Sequence, residues 1–293
     1  MEQIYLPTIY DCISAVIPSV KSSEEMTKKY AARYRGVKRK EQQEQNNSIQ
    51  NLQIKELDMS AGSISFRNET GYTPDVAALL NTQLNFSNEA KVLILHTHTS
   101  EAYAESVGAR STDNEKNVVR VGAVLKKRLE EKGISVMHDT TRNDYPAYNG
   151  SYAKALSGIS TAISNNPSIE VVLDVHRDYA EQKQDGVAVQ LKPVTTILGE
   201  SVAQVMFVVG TDGLGLYHPN WKQNLAFAVQ IQDALNNISP KLARPINIRR
   251  ERFNQHMTRG SLIVEVGTAG NSLVECERLA KYLGDAIAQV MKQ

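Results

Sequence analysis

From Lys91 onward, short apolar runs alternate with stretches in which apolar residues recur every three or four positions. VLIL is a run without alternation. KNVVRVGAVLKKRLEEKG follows with Val118, Gly122, Leu125 and Leu129 at helical spacing, and Gly133 stops the helix. ISVM predicts a second strand, and SYAKALSGISTAISNNP a second helix through Tyr152, Leu156, Ile159 and Ile163. IEVVLDVH reads as a third strand, VAVQL and AQVMFVVG as a fourth and fifth, and WKQNLAFAVQIQDALNNIS as an amphipathic helix. INIRRE is a weaker strand and SLIVEVG a strong one. The last helix runs through Leu279, Leu283, Ile287 and Val290, with Ser272 and Glu275 as a capping box at its start. Apolar strands separated by helices predict an α/β fold, a mostly parallel central sheet with helices on both faces.

Upstream the pattern changes. Residues 1–50 are polar, end in KRKEQQEQNNSIQN and read as a helical or linker segment. Residues 51–90 predict a small α+β lobe: NLQIKELDM and SISFRN alternate as a hairpin would, and GYTPDVAALLNTQ gives a turn and a short helix. Residues 91–293 then read as the main α/β domain.

Charge changes the picture only by exclusion. The chain carries 33 basic and 32 acidic residues, a formal charge of +1, which argues against a nucleic-acid partner. The one dense basic run, KKYAARYRGVKRK at 28–40, reads as a solvated helix face or tail. Cys12 and Cys276 lie at opposite ends without a CxxC, so neither a disulfide nor a thiolate zinc site is expected. No apolar run is long enough to span a bilayer and no signal peptide is visible, which leaves the compartment open.

Candidate chemistry sits at strand ends, where ligands gather in such sheets. VLIL runs into His96 and His98, VVLDV into His176 followed by Arg177 and Asp178, and LIV into Glu265. Imidazole nitrogen and carboxylate oxygen are zinc donors, and a catalytic zinc keeps three protein ligands and an open position. A further carboxylate is then needed as base. His98, Glu101, Glu105 and Glu115 are candidates for the remaining ligand, Glu115 because it opens the first long helix.

These residues, in order, resemble the zinc-dependent N-acetylmuramoyl-L-alanine amidases. EKNVVRVGAVLKKRLEEKGISVMHDTTRND is similar to the helix that carries their ligand glutamate. HTHTSEAY, DVHRD, NETGYTPDVAALL and IVEVGTAGNSLVE together resemble, more closely, the stage II sporulation protein P family, over residues 60–293. The resemblance implies a peptidoglycan hydrolase that cuts the muramyl-lactyl to L-alanine amide, with stem-peptide endopeptidase activity, in sporulation engulfment. It carries zinc ligation onto His96, Glu115 and His176 and the catalytic carboxylate onto Glu265. The amidases have Asp-Pro-Gly-His at the first strand, whereas LHTH leaves His96 and His98 both eligible; His96 is preferred here. His98, Glu101, Arg177, Asp178 and Asn271 are expected to support the ligands or meet substrate.

The resemblance also implies an extracytoplasmic, membrane-anchored protein that works with a lytic transglycosylase and a membrane partner. Two other readings compete. A barrel-type metal amidohydrolase would need eight βα units, more than the chain after Lys91 supplies. A non-catalytic wall-binding scaffold would be expected to lack a ligand or Glu265, and none is lacking.

Overall fold

A computed structural model describes residues 53–184 and 187–293. The expectations for residues 1–50, the basic run at 28–40 and Cys12 among them, lie outside the described residues. In chain order the elements begin β1 (Gln53–Leu57), β2 (Phe66–Asn68), α1 (Val76–Leu80), β3 (Lys91–Leu95), α2 (Val118–Glu131) and β4 (Val136–His138). Next come α3 (Ser151–Asn165), β5 (Ile169–Asp178), β6 (Glu181–Gln184), β7 (Val187–Ile197), β8 (Glu200–Ala203) and β9 (Val205–Gly210). The chain closes with α4 (Trp221–Ile238), β10 (Ile246–Arg249), β11 (Gly260–Thr268) and α5 (Leu273–Met291). Side-chain caps set several helix starts. Asn117 accepts from Val119 N at α2, and Ser272 and Glu275 form the expected capping box at α5.

Seven strands make the central sheet in the order β2-β10-β9-β11-β5-β3-β4. All neighbours are parallel except β9 and β11, which run antiparallel. The carboxyl ends of β3, β5 and β11 therefore share one edge with the amino ends of β9 and β10. Register places Glu265 of β11 between His176 of β5 and Met206 of β9. Among the described residues the sheet is open, with β2 and β4 at its outer edges, and not a closed barrel.

Helices cover both faces. Val92, Ile94, Leu173, Phe207 and Val264 face a large core with α2, α4 and α5, while Leu93, Leu95 and Val172 pack under α3 with Ala155, Ile159 and Ala162. Strand alternation carries this division to the site edge. Val175 and Val266 belong to the first face, so His176 and Glu265 emerge on the α3 face.

Two expectations are corrected. NLQIKELDM and SISFRN form no hairpin: β2 joins the central sheet beside β10, and β1 lies parallel to β7 in a second sheet. VAVQL is not a central strand either. It opens β7, the long strand of that second sheet, flanked by β6 and β8 in antiparallel pairing. Alternation fixes which face of a strand is apolar and leaves its partner undetermined.

Helix α2 meets the sheet at Gly122. A Cβ there would fall 2.8 Å from His138 Nε2 and from His96 Cε1 and Nε2. Alanine is the better helix former by about 1 kcal/mol, but overpacking against two buried rings should outweigh that and cost roughly 1–3 kcal/mol net. Gly122→Ala is therefore expected to lower the urea midpoint, and an unchanged midpoint would show that the helix can ride outward freely.

Candidate active site

Of the two histidines after β3, the structure brings His98 to the strand-end cluster and His96 away from it. His96 continues the alternation of Val92 and Ile94 and lies fully buried on the α2 side of the sheet. Its Nδ1 is 2.8 Å from Val175 O, to which it can only donate, so its Nε2 accepts from His138 Nε2–H at 2.9 Å. Burial, then the neighbouring His138, lowers its pKa to about 3, and burial with Lys126 lowers that of His138 to about 4. Both rings are thus neutral packing elements beneath Gly122, and the preference for His96 as a ligand is not supported by its position.

The chain turns at residues 97–100, where Asp174 of β5 accepts from Thr97 N at 2.7 Å and Thr97 Oγ1 at 2.5 Å. That turn sets His98 on the α3 side, with ring centroids 5.3 Å from His176 and 5.6 Å from Tyr152. His98 Nε2 is 3.0 Å from Tyr148 Oη, and its Nδ1 is buried without a partner. Burial, then the His176 charge, lowers its pKa, which keeps this ring neutral.

His176 lies between two carboxylates. Its Nδ1 is 3.2 Å from Glu101 Oε2 and its Nε2 is 2.9 Å from Asp174 Oδ1, the second without hydrogen-bond geometry. Burial opposes protonation of this imidazole, but the two carboxylates outweigh it and raise its pKa well above the ordinary value. They are themselves lowered, against burial, chiefly by His176.

Glu265 stands across the strand pair from His176. Its Oε2 is buried without a partner. Burial, with Glu101 and Asp178 adding to it, raises its pKa to about 8 against the pull of His176 and Arg244. Neither Arg177 nor Arg259 neutralises it. Arg177 binds Ala102 O and Ala109 O, and Arg259 pairs with Glu170. A buried carboxyl held near neutrality and unspent on hydrogen bonds is suited to taking and returning a proton.

The remaining expected residues have other posts. Glu115 is 74% exposed and pairs with Arg120 Nη1 at 3.2 Å, outside the cluster. Glu105 accepts from Leu273 N at the start of α5. Asp178 holds Arg244 Nη2 at 2.6 Å. Asn271 shapes the loop after β11 through Thr268 N, Pro193 O and Glu275. Asp174, Tyr148, Tyr152 and Asp144 were not singled out from the sequence. Asp174 could have been found by parity, two residues before His176 on the same strand face; no signal marked the others. A cavity of about 840 Å³ opens at the β4 edge beside Lys91, Lys126 and Met137 and contains none of the cluster residues His98, His176 or Glu265.

Among the described residues no group of three or more His, Cys, Asp or Glu side chains is arranged to hold a metal ion. The donor chemistry is still that of a zinc site: unpartnered buried nitrogens of His98 and His176 lie at one sheet edge, with the carboxylates of Glu101 and Asp174 against His176. Such atoms carry a desolvation cost that a cation with nitrogen and oxygen ligands would relieve.

The family model described as stage II sporulation protein P matches residues 10–288. Stage II sporulation protein P of Bacillus subtilis (strain 168) is 26% identical over 215 residues, 68% of this chain and 50% of that protein. The chain thus spans about half the length of the curated relative it matches. Similar solved structures include the CwlD amidase from Clostridioides difficile in complex with the GerS lipoprotein, at 15% identity and TM-score 0.45, covering 69% of this chain and 98% of that one. The N-acetylmuramoyl-L-alanine amidase AmiC2 of Nostoc punctiforme is similar at 12% identity and TM-score 0.43, covering 71% and 99%.

Proposed function

The chain belongs to the stage II sporulation protein P family, and from that premise we propose that it is a zinc-dependent peptidoglycan hydrolase of sporulation engulfment. It cleaves the N-acetylmuramoyl-L-alanine amide and, as a second activity, stem-peptide crosslinks. The observation that carries this reading is the set of unpartnered buried atoms on His98, His176 and Glu265 at one sheet edge. A scaffold would have no use for it.

His98 and His176 would hold the ion, and the third ligand would be a carboxylate already lying against His176, Glu101 or Asp174. When bound, zinc supplies a Lewis acid that polarises the scissile carbonyl and makes water acidic enough to be deprotonated near neutral pH. Glu265 Oε2 accepts a proton from the attacking water and returns it to the departing amine nitrogen, so the carboxylate ends as it began. Protonated His176 must release its proton when the ion binds, and Glu101 keeps the ring oriented through Nδ1.

We place the protein outside the cytoplasmic membrane, anchored to it, and acting with a lytic transglycosylase and a membrane partner. Among the described residues no helix is long and apolar enough to cross a membrane. The test is elemental analysis of purified protein together with mass spectrometry of its products on defined crosslinked muropeptides. About one zinc per chain and free muropeptide stems are expected. Products without amide or crosslink cleavage by zinc-loaded protein would leave the scaffold reading in its place.

A further inference from the structure

We propose that Tyr148 is a positioning residue for His98, fixing the ring in the tautomer whose Nδ1 carries a free lone pair. This inference rests on the reading of His98 as a metal ligand. The Tyr148 ring stacks on the His98 ring, with centroids 4.3 Å apart and planes 6° from parallel, and its Oη lies 3.0 Å from His98 Nε2. A neutral imidazole has one N–H and one lone pair. When Nε2–H donates to Tyr148 Oη, the lone pair is left on Nδ1, the buried atom without a protein partner. Histidines that ligate metals commonly donate their other N–H to an oxygen in this way, and losing that oxygen typically weakens metal binding by about 10–100-fold.

Tyr148 is half exposed, so its position needs support, and the structure supplies it. The Arg110 guanidinium carbon lies 5.0 Å from the Tyr148 ring centroid. Arg110 Nη1 bonds Asp144 Oδ2 at 3.2 Å and Ser100 Oγ at 2.8 Å. Asp144, its side chain fully buried, also accepts from Ser100 N at 3.1 Å and Ser100 Oγ at 2.6 Å. Ser100 belongs to the turn that presents His98. One buried carboxylate therefore ties together the turn beneath the imidazole and the arginine over its tyrosine cover.

Tyr148→Phe keeps the stack and removes only the hydroxyl. In the metal-free protein, ring ¹⁵N shifts of His98 at pH 7 should report the Nε2–H tautomer in wild type and a mixture in the Phe variant. Zinc affinity by chelator competition should fall about tenfold or more in the variant, with the melting temperature of the metal-free protein little changed. Arg110→Ala should weaken zinc by a smaller factor. Unchanged His98 shifts, or wild-type zinc affinity in Tyr148→Phe, would overturn the assignment. Failure of the wild type itself to bind zinc would instead refute the metal reading, while the ¹⁵N comparison would still decide the role of Tyr148.

Discussion

Glu265→Gln should cut turnover on peptidoglycan by roughly 100-fold or more, the usual scale of acid–base catalysis, while folding and zinc content stay intact. Glutamine keeps the shape of the side chain but cannot take the water proton. Stability should not suffer, because the wild-type carboxyl is fully buried and its Oε2 has no hydrogen-bond partner. Its pKa, raised to about 8 by burial ahead of any other influence, shows how unfavourable the charged form is there without a cation nearby. Replacing it with a neutral amide removes that cost. Zinc retention is measured by elemental analysis and turnover by release of soluble muropeptides. Near-normal turnover with zinc bound would clear Glu265 of the proton-transfer role.

The second large effect separates the two histidines of HTH. His98→Ala should lose zinc and activity together, since it deletes a ligand atom. His96→Ala should keep zinc in whatever protein folds and lose stability instead. Removing that ring leaves His138 Nε2 and Val175 O unpaired and opens a cavity under Gly122, a combination worth about 2–4 kcal/mol. Metal content per folded chain, read beside the denaturation midpoint, distinguishes the two. Zinc lost from the His96 variant and kept in the His98 variant would restore the first reading.

The strands carrying the site were legible because VLIL, IEVVLDVH and SLIVEVG are unbroken apolar runs, and the carboxyl ends of such strands collect chemistry. What the sequence leaves open is local. The family motif favours His96 over His98, whereas the parity of Val92, Ile94 and His96 puts that residue on the α2 face. Only the register of β3 against β5 shows that His176 occupies the other. Glu115 looks like a ligand acid at a helix start, but its side chain turns outward to Arg120. Helix α2 starts only at Val118 behind the Asn117 cap, so Glu115 precedes the helix and its direction is not set by the helical pattern. Tyr148 and Asp144 sit in an irregular segment with no periodicity to read. The direction of β9 was equally hidden: VMFVVG is apolar throughout, and a strand buried on both faces looks the same run either way.

Because β9 opposes β11, the chain returns to the central sheet at the edge from which β5 left it. Residues 179–204 are therefore a closed excursion. They can be lengthened, shortened or replaced as a cassette without rethreading the core, since closing a longer loop costs little. Besides the β1 pairing, it is anchored at and just after the end of β11: Thr268 Oγ1 donates to Leu191 O at 2.6 Å and Asn271 Nδ2 to Pro193 O at 3.2 Å. Both anchors lie in the stretch directly after Glu265. A swapped cassette that preserves those two backbone carbonyls would change the chain beside that stretch while leaving Glu265 itself in place.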